Sequence, residues 1–591
     1  MRNFILLISF LIPTAFVFSQ EEILPIWLTE EEKQQLETYD FTSSNFERNG
    51  ITTPPSGNLR NMAEWEEVSH LLLTWVPTYD NTLLNIVQAA INDVEIIIIT
   101  NNTSHVENLL TNAGVDLNKV TFIVRNYDTI WIRDYAANSV YTDWNDGLIL
   151  VDWIYNRPRP NDNSSPEAVA NELNIPLYQM TEAPTDVVAT GGNWMTDGFG
   201  TGFSSMLIVD ENAPGNQFGV TGKTEAELDD IFNDFMGVQE YIKMENLDYD
   251  AIDHIDMHMK LLDEETILVS EYPPGVADGP QIEANIQYVI DNYQTVFGND
   301  FEIIKIPAPP STSGLYPDNN GYYRTYTNSV ILNNTVIVPF YREEYDTTAQ
   351  RIYEEAMPGY NIVGVNVDGE NGEQLISMGG AIHCITHSVG TQSPMIISHE
   401  ALQDTYDNIN PYEVEAYISH KDGIETAILH YKHEDSINFE SVNMTHDGNE
   451  NWSGLIPAHL GETDIDYYIE AEATTGKVQK RPMPAPDGYW TFTVFEEDNL
   501  STENLDVSIE VSVYPNPASS ITAIELGQQI NDSGTLEIYD ITGNKVKTIH
   551  EGNFSSKKRH FFFDANEFKP GAYFISLETN KHNINRKVIV K

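Results

Sequence analysis

Met378-Gly379-Gly380-Ala381-Ile382-His383-Cys384-Ile385-Thr386-His387 contains the single cysteine of a 591-residue chain. A thiol with no intramolecular disulfide partner, set just after two glycines, is either an inert packing residue or a nucleophile. What the flanking chain brings to it decides between the two.

Upstream of that stretch, apolar runs alternate with amphipathic ones. Residues 70–76, 94–99 and 120–124 have the continuous apolar character of buried strands, and residues 83–91 and 105–113 have helical spacing between them. Similar segments recur at 226–236, 282–293, 301–306 and 348–357, with no repeat visible in the residues themselves. Such alternation predicts an α/β domain. Beyond residue 395 the texture changes. Residues 413–419, 425–431, 465–473 and 489–495 alternate apolar and polar between turn signals, which predicts a β-sandwich of immunoglobulin-like size over 396–496. After a polar linker at 497–512, residues 513–591 form a third, all-β unit.

The chain is too long for one hydrophobic core, so several domains are expected. Its formal charge of −59 excludes nucleic acid and anionic lipid as partners, and favours cationic small molecules or basic peptides. From residue 513 onward ten Lys or Arg stand against eight Asp or Glu, so the acidity belongs to the upstream domains. Residues 1–20, with Arg2 ahead of an apolar run too short to span a bilayer, predict a secretory signal, and 21–57 read as a propeptide or linker. No membrane span is expected elsewhere.

Four stretches of the α/β region carry polar residues where apolar ones would be expected: Trp131-Ile132-Arg133-Asp134-Tyr135, Asp253-His254-Ile255-Asp256-Met257-His258, Tyr326-Thr327-Asn328-Ser329, and the cysteine stretch itself. Read as an extended segment, 253–260 puts His254, Asp256 and His258 on one side. Two chemistries can use this set. His254, Asp256, His258, His383 and His387 could bind a divalent metal. Alternatively Cys384 is a nucleophile, His254 an acid/base and the aspartates a cation site. The plainer readings are that Asp134 caps a turn and that His258, His383 and His387 are satisfied buried side chains.

Trp131-Ile132-Arg133-Asp134, Gly191-Gly192-Asn193-Trp194, His254-Ile255-Asp256 and Gly380-Ala381-Ile382-His383-Cys384-Ile385-Thr386, in that order, resemble the guanidine-modifying, or pentein, superfamily. The likeness is greatest to its agmatine deiminase and bacterial peptidylarginine deiminase branch. It implies a five-bladed propeller of ββαβ units over 58–395. It also implies Cys384 as nucleophile, His254 as general acid and base, Asp134 and Asp256 as guanidinium ligands, Asn328 as support for the cysteine, Trp131 as a substrate contact, and no metal or other cofactor. Paired carboxylates suit that substrate, because a guanidinium is planar and offers five donors in a fork.

Arg157 and Arg159, each followed by proline, resemble the arginine pair with which the peptidylarginine branch holds the α-carboxylate of a C-terminal arginine. Expected substrates are therefore arginine-containing peptides, with agmatine or free arginine as the alternative, and an inactive deiminase-fold adhesin as an alternative of another class. Tyr514-Pro515-Asn516-Pro517, the Asp540 to Gly543 turn, Gly571-Ala572-Tyr573-Phe574 and the basic final strand resemble a type IX secretion C-terminal sorting domain. That implies the type IX machinery as partner and a secreted or cell-surface location.

Overall fold

A computed structural model describes residues 24–42, 49–369, 372–434 and 436–495. In the C-terminal module it describes 511–514, 516–518, 521–526, 533–554, 560–579 and 583–591. The expected signal at 1–20 and nearly all of the 497–512 linker lie outside these residues.

Between residues 60 and 390 one local order occurs five times: a strand, an antiparallel partner, a helix, and a strand parallel to that partner. In one unit Asn138–Tyr141 pairs with Leu148–Tyr155, helix Ser165–Leu173 crosses over, and Leu177–Met180 completes the sheet. The next is Met195–Thr196, Thr201–Ser205, helix Glu225–Met236 and Glu240–Met244. Met259–Leu261, Thr266–Glu271, helix Gly279–Asn292 and Glu302–Pro307 follow. Then come Val330–Leu332, Thr335–Phe340, helix Glu343–Ala356 and Asn361–Asn366. The remaining unit joins distant parts of the chain. Its first strand, His387–Gly390, lies antiparallel to Val68–Thr74, which continues through helix Asp80–Ala90 to the parallel strand Glu95–Thr100.

The geometry follows from backbone hydrogen bonding. Antiparallel neighbours need only a short turn, as at Asn333, whose φ is +52°, whereas parallel neighbours need a crossover long enough for a helix. Strands covered on both faces read as unbroken apolar runs, and Ile96, Ile97, Ile98 and Ile99 are all buried. Helix Glu225–Met236 starts at a Thr224/Glu227 capping box, ends at left-handed Gly237, and buries Leu228, Ile231, Phe232, Phe235 and Met236. Helix Glu343–Ala356 begins five residues earlier than its apolar spacing predicts. Its first turn is the acidic Glu343, Glu344 and Asp346, which suits the positive end of a helix dipole but has no apolar periodicity.

Two further sheets share one core over 396–494, with Val414, Ile418, Leu429, Ile465, Ile469 and Phe492 buried between them. This unit is tied to the α/β region through Arg481 to Glu264 (2.9 Å) and Lys477 to Glu67 (2.5 Å). The C-terminal module is all-β, with sheets of three and four strands around Ile538, Phe561, Phe563, Ile575 and Val588. Among the described residues no helix is long and apolar enough to cross a membrane.

Residues 21–57, expected to be a propeptide or linker, contain structure of their own. Helix Glu30–Leu36 is closed by a Thr29/Glu32 capping box, and Ile26, Leu36 and Phe41 are buried.

Candidate active site

Each chemistry-bearing stretch lies just ahead of the first strand of one unit. Short helix Ile132–Tyr135 precedes Asn138–Tyr141, and the turn Gly191–Asn193 precedes Met195–Thr196. The turn Ile255–Met257 precedes Met259–Leu261, Asn328 precedes Val330–Leu332, and the turn His383–Ile385 precedes His387–Gly390. Five equivalent positions of a repeated topology thus supply the residues of one site.

The extended segment expected at 253–260 is not observed. Ile255–Met257 is a turn of 3₁₀ helix, so His254 and Asp256 do not share a face with His258 by strand alternation. The turn still carries His254 and Asp256 into the same cluster. Cys384 Sγ lies 3.8 Å from Asp256 Oδ2 and 3.2 Å from Asn328 Nδ2. Asn328 Oδ1 accepts from the main-chain N–H of His383 at 3.0 Å, so one amide side chain holds both the cysteine loop and its sulfur. His254 Nδ1 faces Asp134 Oδ1 at 3.6 Å, and its Nε2 lies 3.0 Å from Thr190 Oγ1.

Gly192 sits among these groups. A Cβ there would come within 3.1 Å of Asp134 Oδ1 and 3.2 Å of Asp256 Oδ2, and would strike His254 Nδ1. On the cysteine side, a Cβ on Gly380 would lie 3.0 Å from Cys384 Sγ and 2.7 Å from the Trp131 ring. Both glycines are required by close approach.

Cys384, Asp134, His254, Asp256, Asn328 and Trp131 are all fully buried, and their titration follows from that. Burial raises the Asp134 carboxyl to about 7, helped by the neighbouring Asp256, while Arg157 and Arg159 pull the other way. Burial lowers His254 to about 4. For Asp256 burial alone would raise the value, but the hydrogen bond and charge of His383 outweigh it and hold the carboxyl below its usual range. The Cys384 thiol is pushed well up by burial and then by the charges of Asp256 and Asp134. Among the described residues, Asp134 Oδ2, Asp256 Oδ1 and His254 Nδ1 are buried without hydrogen-bond partners. Unpaired acceptors in a dry site call for a ligand rich in N–H donors and carrying positive charge.

His383 is a satisfied side chain, but what satisfies it is informative. Its Nδ1 meets Asp256 Oδ2 and its Nε2 meets Glu64 Oε2, each at 2.7 Å. Glu64 is also paired with Lys260 and lies 3.8 Å from Arg133. Lys260, His383 and Arg133 together overcome its burial and hold it well below the ordinary carboxylate range. The sequence reading missed Glu64, because in Glu64-Trp65-Glu66-Glu67 it looks like one acid of a solvated run. The metal alternative does not assemble. His383 is taken by two carboxylates, His387 Nε2 meets the Ala137 carbonyl at 3.0 Å, and both nitrogens of buried His258 lack partners. Among the described residues these donors do not gather into a metal-holding group.

Arg157 and Arg159 are buried at the edge of the cluster, close enough for both charges to act on Asp134. Their donors are directed to the N-terminal segment. Arg157 Nε donates to the Ile26 carbonyl (3.0 Å), and Arg159 Nε to Glu32 Oε1 (2.8 Å).

Residues 512–591 match a secretion system C-terminal sorting domain, so the chain's last module is a type IX secretion signal that directs it to the cell surface. The putative agmatine deiminase of Mycoplasma mycoides subsp. mycoides is 23% identical over 376 residues, covering 58% of this chain and 98% of that protein. The agmatine deiminase of Pseudomonas syringae pv. tomato is 22% identical over 368 residues, covering 57% and 96%. Among solved structures, a putative arginine deiminase from Porphyromonas gingivalis superposes with a TM-score of 0.49 at 19% identity, covering 56% of this chain and 99% of that one. Residues 60–389, which contain every one of the converging polar stretches, match the Porphyromonas-type peptidyl-arginine deiminase family, and the chain belongs to that family.

Proposed function

We propose that this chain is an exported cysteine hydrolase that converts the guanidinium of arginine to the ureido group of citrulline, with ammonia as the second product. The observation that carries the proposal is the meeting of Cys384 and Asp256 at 3.8 Å beside unpartnered acceptors on Asp134, Asp256 and His254. A guanidinium placed there satisfies those acceptors and supplies the missing positive charge.

The chemistry follows from the charges. Without substrate the thiol is held protonated by burial and by the two acids near it, and a neutral thiol is a poor nucleophile. An incoming cation cancels that field and favours the thiolate, so the substrate itself activates the nucleophile. Thiolate sulfur bonds to the guanidinium carbon. His254, which has taken up the proton leaving the thiol, delivers it to one nitrogen, and the C–N bond breaks to release ammonia, leaving a thiouronium on Cys384. His254 then takes a proton from water and later passes it to solvent, the hydroxide adds to the same carbon, and the C–S bond breaks to give the ureido product as the hydroxyl proton returns to the sulfur. Asn328 holds the cysteine loop, and Asp134 and Asp256 orient the fork of N–H groups.

The five units of 60–390 would form the blades of a ring whose centre is this site. The two-sheet unit at 396–494 would be an immunoglobulin-like spacer, and residues 1–20 an export signal. Peptidyl-arginine, preferably C-terminal, is favoured as substrate by the buried cations Arg157 and Arg159 beside Asp134, since agmatine has no carboxylate to engage them. Agmatine or free arginine is the competing reading, supported by the relatives' names. An inactive adhesin is disfavoured by the intact set of Cys384, His254, Asp256, Asp134 and Asn328.

Ureido product is to be measured on agmatine, free arginine, a C-terminal-arginine peptide and an internal-arginine peptide. The C-terminal-arginine peptide should give the highest kcat/KM, and Cys384→Ala should release no product from any of them. Best turnover of agmatine would remove the carboxylate role of the arginine pair.

A protonated Asp134 cannot balance a guanidinium. Since burial puts its carboxyl at about 7 in the free enzyme, kcat/KM should fall as pH drops through 7. A profile level from pH 8 to 5.5 would contradict this.

Glu64 is a positioning residue acting through His383 and Asp256. Glu64→Gln should lower kcat by about 100-fold, the scale of a misplacement of about 1 Å, with a smaller change in KM. Glu64→Asp should recover part of the loss. A rise in KM alone would assign Glu64 to binding instead.

A further inference from the structure

The N-terminal segment crosses the arginine side of the site, and residues 24–27 are held there by main-chain hydrogen bonds. Trp131 Nε1 donates to the Leu24 carbonyl (3.1 Å), and Arg159 Nη2 donates to the carbonyls of Pro25 (2.7 Å) and Trp27 (3.2 Å). Arg157 Nε donates to the Ile26 carbonyl (3.0 Å), and the Ile26 N–H donates to the Met378 carbonyl (3.0 Å). Bonds to main-chain groups do not depend on the side chains presented, so such a surface can take peptides of differing sequence.

The surface is shaped for close approach. Gly379 has φ +97°, and a Cβ on it would lie 2.6 Å from both the Ile26 side chain and the Trp27 ring. Ile26 is fully buried and belongs to the same apolar cluster as Ala381, Ile382 and Cys384. Ile26 thus packs against Met378 and Gly379 at the start of the cysteine loop.

The segment also carries an acid in the place expected for a substrate's carboxylate. Glu32 Oε1 accepts from Arg159 Nε at 2.8 Å, and its Oε2 lies 3.2 Å from Arg159 Nη2. The capping box fixes that carboxylate, because Thr29 N also donates to Glu32 Oε2 at 2.8 Å. Further along, Leu36 and Phe41 pack with Ile154, Val188, Phe218 and Val220, anchoring the far end away from the site.

We infer that Trp131, Arg157, Arg159 and Met378 form a binding site for peptide main chain and a carboxylate. Residues 24–41 occupy this site in cis and compete with substrate for it, so the intact chain works below its full rate until they leave. The inference rests on the peptidyl-arginine reading and deepens it, because the same surface that receives residues 24–32 would receive the peptide flanking a substrate arginine. With the segment in place, Trp131, Arg157 and Arg159, the three candidate substrate contacts beyond the acids, are all engaged.

Cys384 is the sole thiol, so its alkylation by iodoacetamide, read by intact mass, reports access to the site whether or not turnover occurs. In the full chain, Glu32→Arg sets a second cation against Arg159 and should free the segment. Ile26→Asp disturbs the segment at its other end and keeps the test open if the first variant does not fold. Either variant should be alkylated at least tenfold faster than wild type, and a synthetic peptide of residues 24–41 added to it should restore protection. The same peptide should inhibit guanidine hydrolysis competitively. Folded variants alkylated at the wild-type rate, with no protection by the peptide, would overturn the inference. Faster alkylation without hydrolysis of any guanidine would keep the occluding segment and remove the deiminase reading. Equal hydrolysis by wild type and variants, with unchanged alkylation, would do the reverse.

Discussion

The structure depends on a deficit of positive charge in a dry place. Asp134 and Asp256 are buried beside a buried thiol, with the His383 ring 2.7 Å from Asp256 and the His254 ring 3.6 Å from Asp134. Isolated buried carboxylates are costly, and the protein meets that cost unequally. Asp256 is held ionised by His383, while Asp134 is left with its carboxyl at about 7. The pair is therefore incomplete by about one cation. On the function proposed above, that incompleteness selects a guanidinium, keeps the thiol quiet in its absence, and couples binding to activation of the nucleophile.

Holding such a site open to ligand requires a rigid frame. The frame is a repeated one, in which each of five units contributes the stretch just ahead of its first strand. His387–Gly390 reaches back to pair with Val68–Thr74, so the cysteine loop is locked to a strand more than 300 residues away in sequence. Behind the acids, Glu64, Lys260 and Arg133 form a second charged layer that fixes His383 from its outer nitrogen. In front of them, the N-terminal segment covers the opening and places Glu32 against Arg159. On the proposed reading the same arginine serves either a substrate or this built-in occupant, and the two uses exclude each other.

Much of this was legible in the residues. Continuous apolar strands such as 96–99 and amphipathic helices such as Glu225–Met236 have periods that survive without tertiary context. The polar stretches around Asp134, His254, Asn328 and Cys384 stood out because their neighbours are apolar. Three features were hidden for physical reasons. Ile255–Met257 mimics strand alternation because a short 3₁₀ turn has too few residues to reveal its period. Glu64 looks like a surface acid, since what singles out one carboxylate among three is partners 196 and 319 residues away. Residues 24–41 read only as a propeptide or linker, because the main-chain hydrogen bonds and distant partners that order them are not encoded in composition.

The central claim, that Cys384 bonds to a guanidinium carbon held by Asp134 and Asp256, is tested most directly by trapping that bond. With His254→Asn the thiouronium should form slowly and hydrolyse more slowly still, because no group activates water. Acid quenching during turnover of a C-terminal-arginine peptide by this variant, in a chain also carrying Glu32→Arg, should show an adduct equal to substrate minus ammonia on the fragment containing Cys384. Ureido product formed by a Cys384→Ser chain at the wild-type rate, with no adduct on any residue of the trapped enzyme, would contradict the account.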